Sequence, residues 1–272
     1  MPPLLPAPKK LRAGTGLLLL SRQMPIVLSA NADETTWHTA TVLRDAIASA
    51  CKLSLPVEGH LHVTGLGPHI SLDHDGLGPG IDGDRYRIDI TDDAVAIRAG
   101  GAAGLRYAVE TLTQLLKTSG SLPQCSIEDQ PDFALRGVML DISRGKVPTP
   151  ATLRGVVDIC TKLKLNTLML YTEHTFRFRR HPKIGKDDSP LDAETMRALD
   201  LYAAQNHVEL IPCLQSLGHM DHILSLPEYR ALAETEMGWT IAPVNPGSIA
   251  LLRDMYDEYL PNFRSKFVNA NC

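Results

Sequence analysis

The chain reads as an α/β protein in two parts: a small α+β domain over residues 1–130, followed over residues 131–272 by an incomplete (β/α)8 barrel of the TIM type. Three observations carry this expectation. Up to Gln130 strand patterns gather around two helical stripes, whereas from Arg136 apolar runs alternate with segments of helix length, as parallel strands with crossover helices do. The runs end in reactive polar groups, in Gly137-Val-Met-Leu-Asp-Ile-Ser-Arg144, Asn166-Thr-Leu-Met-Leu-Tyr-Thr-Glu-His174 and Val208-Glu-Leu-Ile-Pro-Cys-Leu-Gln-Ser-Leu-Gly-His219, and barrel chemistry sits at the carboxyl ends of strands. With Phe267–Cys272 as a fourth, these runs supply half of the strands that a closed barrel of ~250 residues needs. The second domain is expected to be unable to close on its own residues.

In the first domain the leucines Leu17–Leu20, after Lys9, Lys10 and Arg12, are too short for the apolar core of a signal peptide and are interrupted by Arg22, so a short strand is expected. Pro25–Ser29 is a second strand. Asn31 and Asp33 are candidate caps for a helix from Glu34 to Lys52 that buries Trp37, Val42, Leu43, Ala46, Ile47 and Ala50. His60–Thr64 is a further strand, and Asp73–Gly83 a Gly- and Asp-rich loop. Tyr86–Thr91 and Ala94–Arg98 alternate with period two around Asp92-Asp93, which predicts a hairpin with one wet face. Gly100, Gly101 and Gly104 lead into a helix over Ala102–Lys117 striped by Leu105, Val109, Leu112, Leu115 and Leu116. They match no phosphate-cradling pattern. In the second domain helices are expected at Thr149–Leu163, with Pro150 in its first turn, at Asp192–Asn206 and at Ser248–Tyr259.

Composition narrows the partners. A net charge of -4 without a Lys/Arg stripe argues against nucleic acid and for an uncharged substrate. No stretch approaches the ~20 apolar residues of a membrane span, and cytoplasmic residence is expected. The five cysteines, Cys51, Cys125, Cys160, Cys213 and Cys272, are odd in number and widely spaced, which argues for reduced thiols over a disulfide framework or zinc knuckle.

The segment Ile127-Glu-Asp-Gln-Pro-Asp-Phe-Ala-Leu-Arg-Gly-Val-Met-Leu-Asp-Ile-Ser-Arg144 resembles the junction between accessory domain and first barrel strand in glycoside hydrolase family 20, the β-N-acetylhexosaminidases. Leu170–Phe176, His181–Gly185 and Leu214–Met220 resemble later segments of that family. The resemblance implies a retaining, substrate-assisted mechanism in which the sugar's own 2-acetamido oxygen is the nucleophile, an exception to the two-carboxylate scheme. It also implies a terminal N-acetylhexosamine on a glycan or glycoside as substrate, and no cofactor. In the family an Asp-Glu pair ends strand four, one acid orienting the acetamido group and the other protonating the leaving oxygen. By this resemblance the pair is expected just after Cys272, no catalytic acid lies within residues 1–272, and the chain alone is expected to be inactive.

What the resemblance assigns to this chain is part of a sugar-binding wall. Arg144 would donate forked hydrogen bonds to ring hydroxyls, Glu173 matches an acidic position on strand two, and His219 matches the Gly-His of strand three. Asp141, three residues before Arg144, would face away in a strand and support the turn or Arg144. His174 packs or caps, and Gln215 faces the cleft or satisfies backbone groups. Rival readings are a solvated Arg144 and a Glu173 paired with Arg177 or Arg179, while Phe176, Phe178 and Trp239 are expected in core or loop packing rather than as sugar-stacking platforms. His219 and His222 stand three residues apart, as on one helix face, yet no third ligand at useful spacing accompanies them, so no metal is expected. Cys213 and Cys272 belong to no Cys-His motif. Two other functions fit the pattern: a non-catalytic carbohydrate-binding or assembly module, self-associating through the open barrel edge, and another barrel hydrolase.

Overall fold

The structure, a computed structural model, describes residues 3–29, 32–60 and 66–271. The chain divides into two compact units, one of Met1–Arg136 with Thr161–Lys164 and one of Gly137–Cys160 with Leu165–Cys272.

The first unit runs β1 (Lys10–Leu19), β2 (Ile26–Ser29), α1 (Glu34–Cys51), β3 (Val57–His60), β4 (His69–His74), the single turn α2 (Ile81–Asp84), β5 (Tyr86–Ile90), β6 (Ala94–Ala99), α3 (Ala102–Leu115) and β7 (Ser121–Asp129). The strands form one mixed sheet in the order β1-β7-β5-β6-β4-β2-β3. Period two explains its faces: Ile88, Ile90, Val95 and Ile97 join Leu43, Ile47, Leu105 and Val109 in one core, while Arg87 and Arg98 face water. In α1 the cap is Asp33, which accepts from the Thr36 amide at 2.8 Å, and Lys52 closes the helix in the left-handed region at φ 59°.

Several expectations need correction here. The buried stripe of α1 runs through Thr36, Ala40, Leu43 and Ile47; Trp37 is 42% exposed and Ala50 is also exposed, because the helix turns one residue aside from the stripe drawn through Trp37. The second helix stops at Leu115 and is buried at every position from Ala103 to Leu112, including the ion pair of Arg106 with Glu110. It is a central helix, not an amphipathic one. The Asp73–Gly83 loop is shortened by β4 and α2, and β1 is ten residues long where a short strand is expected. Asn31 and most of the His60–Thr64 strand lie outside the described residues. Between Ala13, paired with Cys125, and Leu17, paired with Pro123, the register of β1 shifts, so Gly14, Thr15 and Gly16 all stand opposite Gln124. A Cβ on Gly14 or Gly16 would come within 2.9 or 2.5 Å of that glutamine, which is why glycine occupies both places.

The second unit contains β8 (Gly137–Asp141), α4 (Pro150–Lys162), β9 (Thr167–Thr172), α5 (Ala193–Gln205), β10 (Glu209–Leu214), α6 (Asp221–Leu224) and α7 (Pro246–Tyr259), the last two residues of α4 counting with the first unit. The strands are parallel, in the order β10-β9-β8, with Gly137, Thr167 and Glu209 in one row. Leu153, Val157, Leu168, Leu199, Leu210, Met255 and Tyr259 pack the helices onto the sheet. The ladders end at Asp141, Thr172 and Leu214, so the polar residues that follow lie in loops at the carboxyl ends. The expected fourth strand is reduced to one parallel bridge: among the described residues of 267–271, Asn269 alone pairs with β10, at Cys213. There the Asn269 amide donates to Pro212 O at 2.9 Å and its carbonyl accepts from the Leu214 amide at 3.2 Å, while the Phe267 and Asn271 amides on either side donate to side chains, Ser265 Oγ and Asn269 Oδ1, and so do not extend the ladder. Cys51, Cys125, Cys160 and Cys213 are free thiols, and no described helix is long and apolar enough to cross a membrane.

Asp192 caps α5 by accepting from the Thr195 amide at 2.9 Å, and that bond, followed by one from the Thr195 side chain, holds its carboxyl below the usual value. Asp192→Ala should cost about 1 kcal/mol at neutral pH. A depressed folded pKa means the contribution is present above the unfolded value of about 3.9 and is lost as pH falls through the folded one. Urea unfolding of wild type and variant should therefore converge in acid; an equal gap at both pH values would contradict the assignment.

Candidate functional site

Five side chains at the ends of β8, β9 and β10 form a continuous polar path. Asp141, the last residue of β8, accepts from the amides of Ser143 at 2.9 Å and Arg144 at 3.2 Å, and from Arg144 Nε at 2.5 Å. The strand ends at Asp141, so strand alternation does not govern Arg144; the turn folds Arg144 back onto Asp141. Burial works to raise the Asp141 pKa and is outweighed by these bonds, which leave it lowered. The Arg144 guanidinium lies 5.1 Å from the centre of the Tyr171 ring, a cation–π distance.

Tyr171 and Glu173 are two apart at the end of β9 and share a side. Tyr171 donates its hydroxyl to Glu173 Oε1 at 2.8 Å, and burial, with this bond next, pushes its phenol pKa up. The same Oε1 stands 3.8 Å from His219 Nδ1. Glu173 is 3% exposed, and its amide donates to Ser143 Oγ at 2.7 Å, locking the end of β9 to the loop after β8. His219 adopts the left-handed region at φ 52° and rests against Trp239, ring centres 4.7 Å apart. Two backbone bonds fix that contact, Met220 N to Trp239 O and Ile241 N to Leu217 O.

The structure thus brings Arg144, Asp141, Glu173 and His219 together, with Tyr171 as the link between Arg144 and Glu173. Arg177 pairs with Asp192 and Arg179 with Glu258, so neither engages Glu173. His174 is buried and stacks on His222, rings 3.8 Å apart and 4° from parallel. Burial, then the neighbouring His222, holds its pKa below the ordinary value. Gln215 stands apart: buried, its amide donating to Thr172 O, its Oε1 without a hydrogen-bond partner. Phe176 and Phe178 are core residues. His219 and His222 do not share a helix face, since His219 precedes α6 and turns to Glu173 while His222 turns to His174.

Sequence reasoning passed over Tyr171 and Ser143 and gave Trp239 to loop packing. Tyr171 had a usable signal in its i, i+2 relation to Glu173. Trp239 had none, because its contact with His219 depends on a loop closing over twenty residues. A cavity of about 590 Å³ in the first unit, lined by Lys10, Arg85, Arg87 and Glu128, has these charges tied to each other or to Asp75 and Asp89. It offers less chemistry than the Arg144 cluster.

Residues 1–130 match the family described as glycosyl hydrolase family 20, domain 2. An N,N'-diacetylchitobiase of Vibrio harveyi is 38% identical over 88 residues, which cover 32% of this chain and 10% of that protein. Among solved structures, the chitobiase of Flavobacterium johnsoniae superposes with a TM-score of 0.84 at 22% identity, covering 98% of this chain and 44% of the other. A family 20 exo-β-N-acetylglucosaminidase of Vibrio harveyi, solved with N-acetylglucosamine, superposes with a TM-score of 0.81 at 20% identity, covering 98% and 46%. The chain spans less than half of each of these relatives. Its first 130 residues match a family 20 domain 2, and its resemblance, in sequence and in fold, is to the β-hexosaminidases of glycoside hydrolase family 20.

Proposed function

We propose that this chain carries the accessory domain and part of the sugar-binding wall of a β-N-acetylhexosaminidase that releases terminal N-acetylhexosamine by a substrate-assisted, retaining mechanism. The β8, β9 and β10 sheet is read as the first strands of a (β/α)8 barrel, with residues 1–130 as accessory domain and 131–272 as the barrel portion. The observation that carries the proposal is the Arg144–Tyr171–Glu173–His219 path, polar and anchored from behind by Asp141 and Ser143. Arg144 keeps donors free for sugar hydroxyls, since Asp141 engages its Nε while the side chain stays 60% exposed. Glu173 and His219 polarise one another and tune the acids that act on the acetamido group and the leaving oxygen.

Neither carboxylate of the path is placed to be the proton donor. Glu173 is buried and held by Tyr171, and Asp141 is held by Arg144 and two amides. Residues 1–272 alone are therefore expected not to hydrolyse an aryl N-acetylglucosaminide. Turnover by the purified chain that disappears in Arg144→Ala would defeat this division of labour.

A second reading, an assembly module, draws on the edge of the small sheet. Among the described residues β8 pairs with β9 alone, and its Val138 and Met139 are 44% and 58% exposed. A chain that associates through this edge should elute above its monomer mass in solution; a monodisperse monomer would remove that reading.

A further inference from the structure

We propose that His174, Asp188 and His222 form a binding site for a divalent transition-metal ion, zinc foremost. One ligand atom from each residue lies within 4.8 Å of the others, although they come from two segments: His174 and Asp188 from the two ends of the connection between β9 and α5, and His222 from α6. Two imidazoles and one carboxylate make the three-ligand set of an open zinc site. The nitrogen-rich donors disfavour magnesium and calcium, which take oxygen.

The second observation is His174 itself. It is 2% exposed, its Nδ1 has no hydrogen-bond partner, and its Nε2 stands 3.4 Å from Asp188 Oδ2. A buried polar atom left without a bond costs about 1–3 kcal/mol, so Nδ1 is held at a cost on the Glu173 side of the ring, while Nε2, facing Asp188, is the nitrogen open to an ion. The local charge suits a cation, because Asp221 adds a second carboxylate, 3.9 Å from His222 Nε2. The backbone is built to bring Asp188 there. Gly185, at φ 62°, lies so close that a Cβ on it would sit 2.0 Å from His174 O, and Asp188 donates its amide to Gly185 O at 3.0 Å.

The two rings are stacked 3.8 Å apart and nearly parallel, and lone pairs lying in two parallel planes do not meet at one ion, so coordination requires one ring to swing. His222 is about half exposed and can swing, and the half-exposed Asp188 carboxylate can follow it; His174 is the fixed ligand. An ion on Nε2 would leave the proton on Nδ1, which stands 4.0 Å from Glu173 Oε2. That order, carboxylate, histidine, metal, is the usual outer support of a metal-bound imidazole, and it would tie the ion to the carboxylate that also holds Tyr171 and His219.

The test is calorimetric titration of the metal-free chain with zinc, repeated on His222→Ala and Asp188→Ala, both surface changes, and on His60→Ala as a control outside the cluster. Wild type and His60→Ala should bind one equivalent. The two cluster variants should bind more weakly by no less than the roughly 10- to 100-fold that loss of even an outer partner costs a metal site. Zinc should raise the melting temperature of wild type and leave that of His222→Ala in place. Zinc uptake equal in wild type and both cluster variants, or no uptake by wild type, overturns the proposal.

Discussion

Arg136→Ala is expected to destabilise the first unit by about 3–5 kcal/mol, the loss typical when one member of a buried ion pair is removed. Asp84 is 1% exposed, and Arg136 Nη2 reaches its Oδ2 at 2.7 Å. The same guanidinium donates to the carbonyls of Lys164 at 3.0 Å and Phe133 at 2.8 Å, and lies over the Tyr107 ring. Truncation leaves a buried carboxylate without its guanidinium, and the Lys164, Phe133 and Ala134 carbonyls without this donor. Denaturant unfolding reads the loss. Pairing Arg136→Met with Asp84→Leu should recover part of it, because no buried charge then remains unmatched. A single-variant loss below about 1 kcal/mol, the range of exposed pairs, would mean that water reaches Asp84 and that the pair is not buried in solution.

Arg144→Ala, in a form of the protein that turns over an aryl N-acetylglucosaminide, is expected to lower kcat/KM by about 10²- to 10⁴-fold. Two charge-assisted hydrogen bonds to sugar hydroxyls at about 1.5–3 kcal/mol each give about 3–6 kcal/mol, and each 1.36 kcal/mol is tenfold. Arg144→Lys should recover little, because an ammonium has no planar fork and stacks poorly on Tyr171. Asp141→Asn should fall between, keeping the guanidinium but loosening its anchor. An Arg144→Ala enzyme of undiminished kcat/KM would remove Arg144 from the sugar wall, whatever its place beside Tyr171.

The sequence was most legible where capping chemistry is local. Asp33, Pro150, Asp192 and the Asn245-Pro246 pair fix helix starts within two residues of the expected places, because a cap needs only its own first turn. Strands held by partners far along the chain were not legible. In β7, Pro123 and Gln124 interrupt the alternation, and its place comes from β1 and β5 on either side; β4 has only Ile70 and Leu72 to declare it. The same division runs through the candidate site. Arg144, Glu173 and His219 were named through their neighbours in sequence, whereas the Tyr171 link, the Trp239 contact and the His174–His222 stack arise from loops meeting in space. The buried helix α3 misled for a related reason, since its Arg106 and Glu110 neutralise each other inside the core and mimic a wet face in the sequence.

The displaced register of β1 matters for solubility. β1 is the outermost strand of its sheet and carries Leu11, Leu17 and Leu19 at 41%, 52% and 69% exposure, the profile that invites strands of other molecules to add on. Gly14, Thr15 and Gly16, crowded opposite one glutamine, break the ladder at its midpoint, and Lys10 and Arg12 place charge beside Leu11. An incoming strand would find two short, mismatched stretches instead of one continuous template, so the greasy rim is guarded against amyloid-like growth by backbone irregularity more than by polarity.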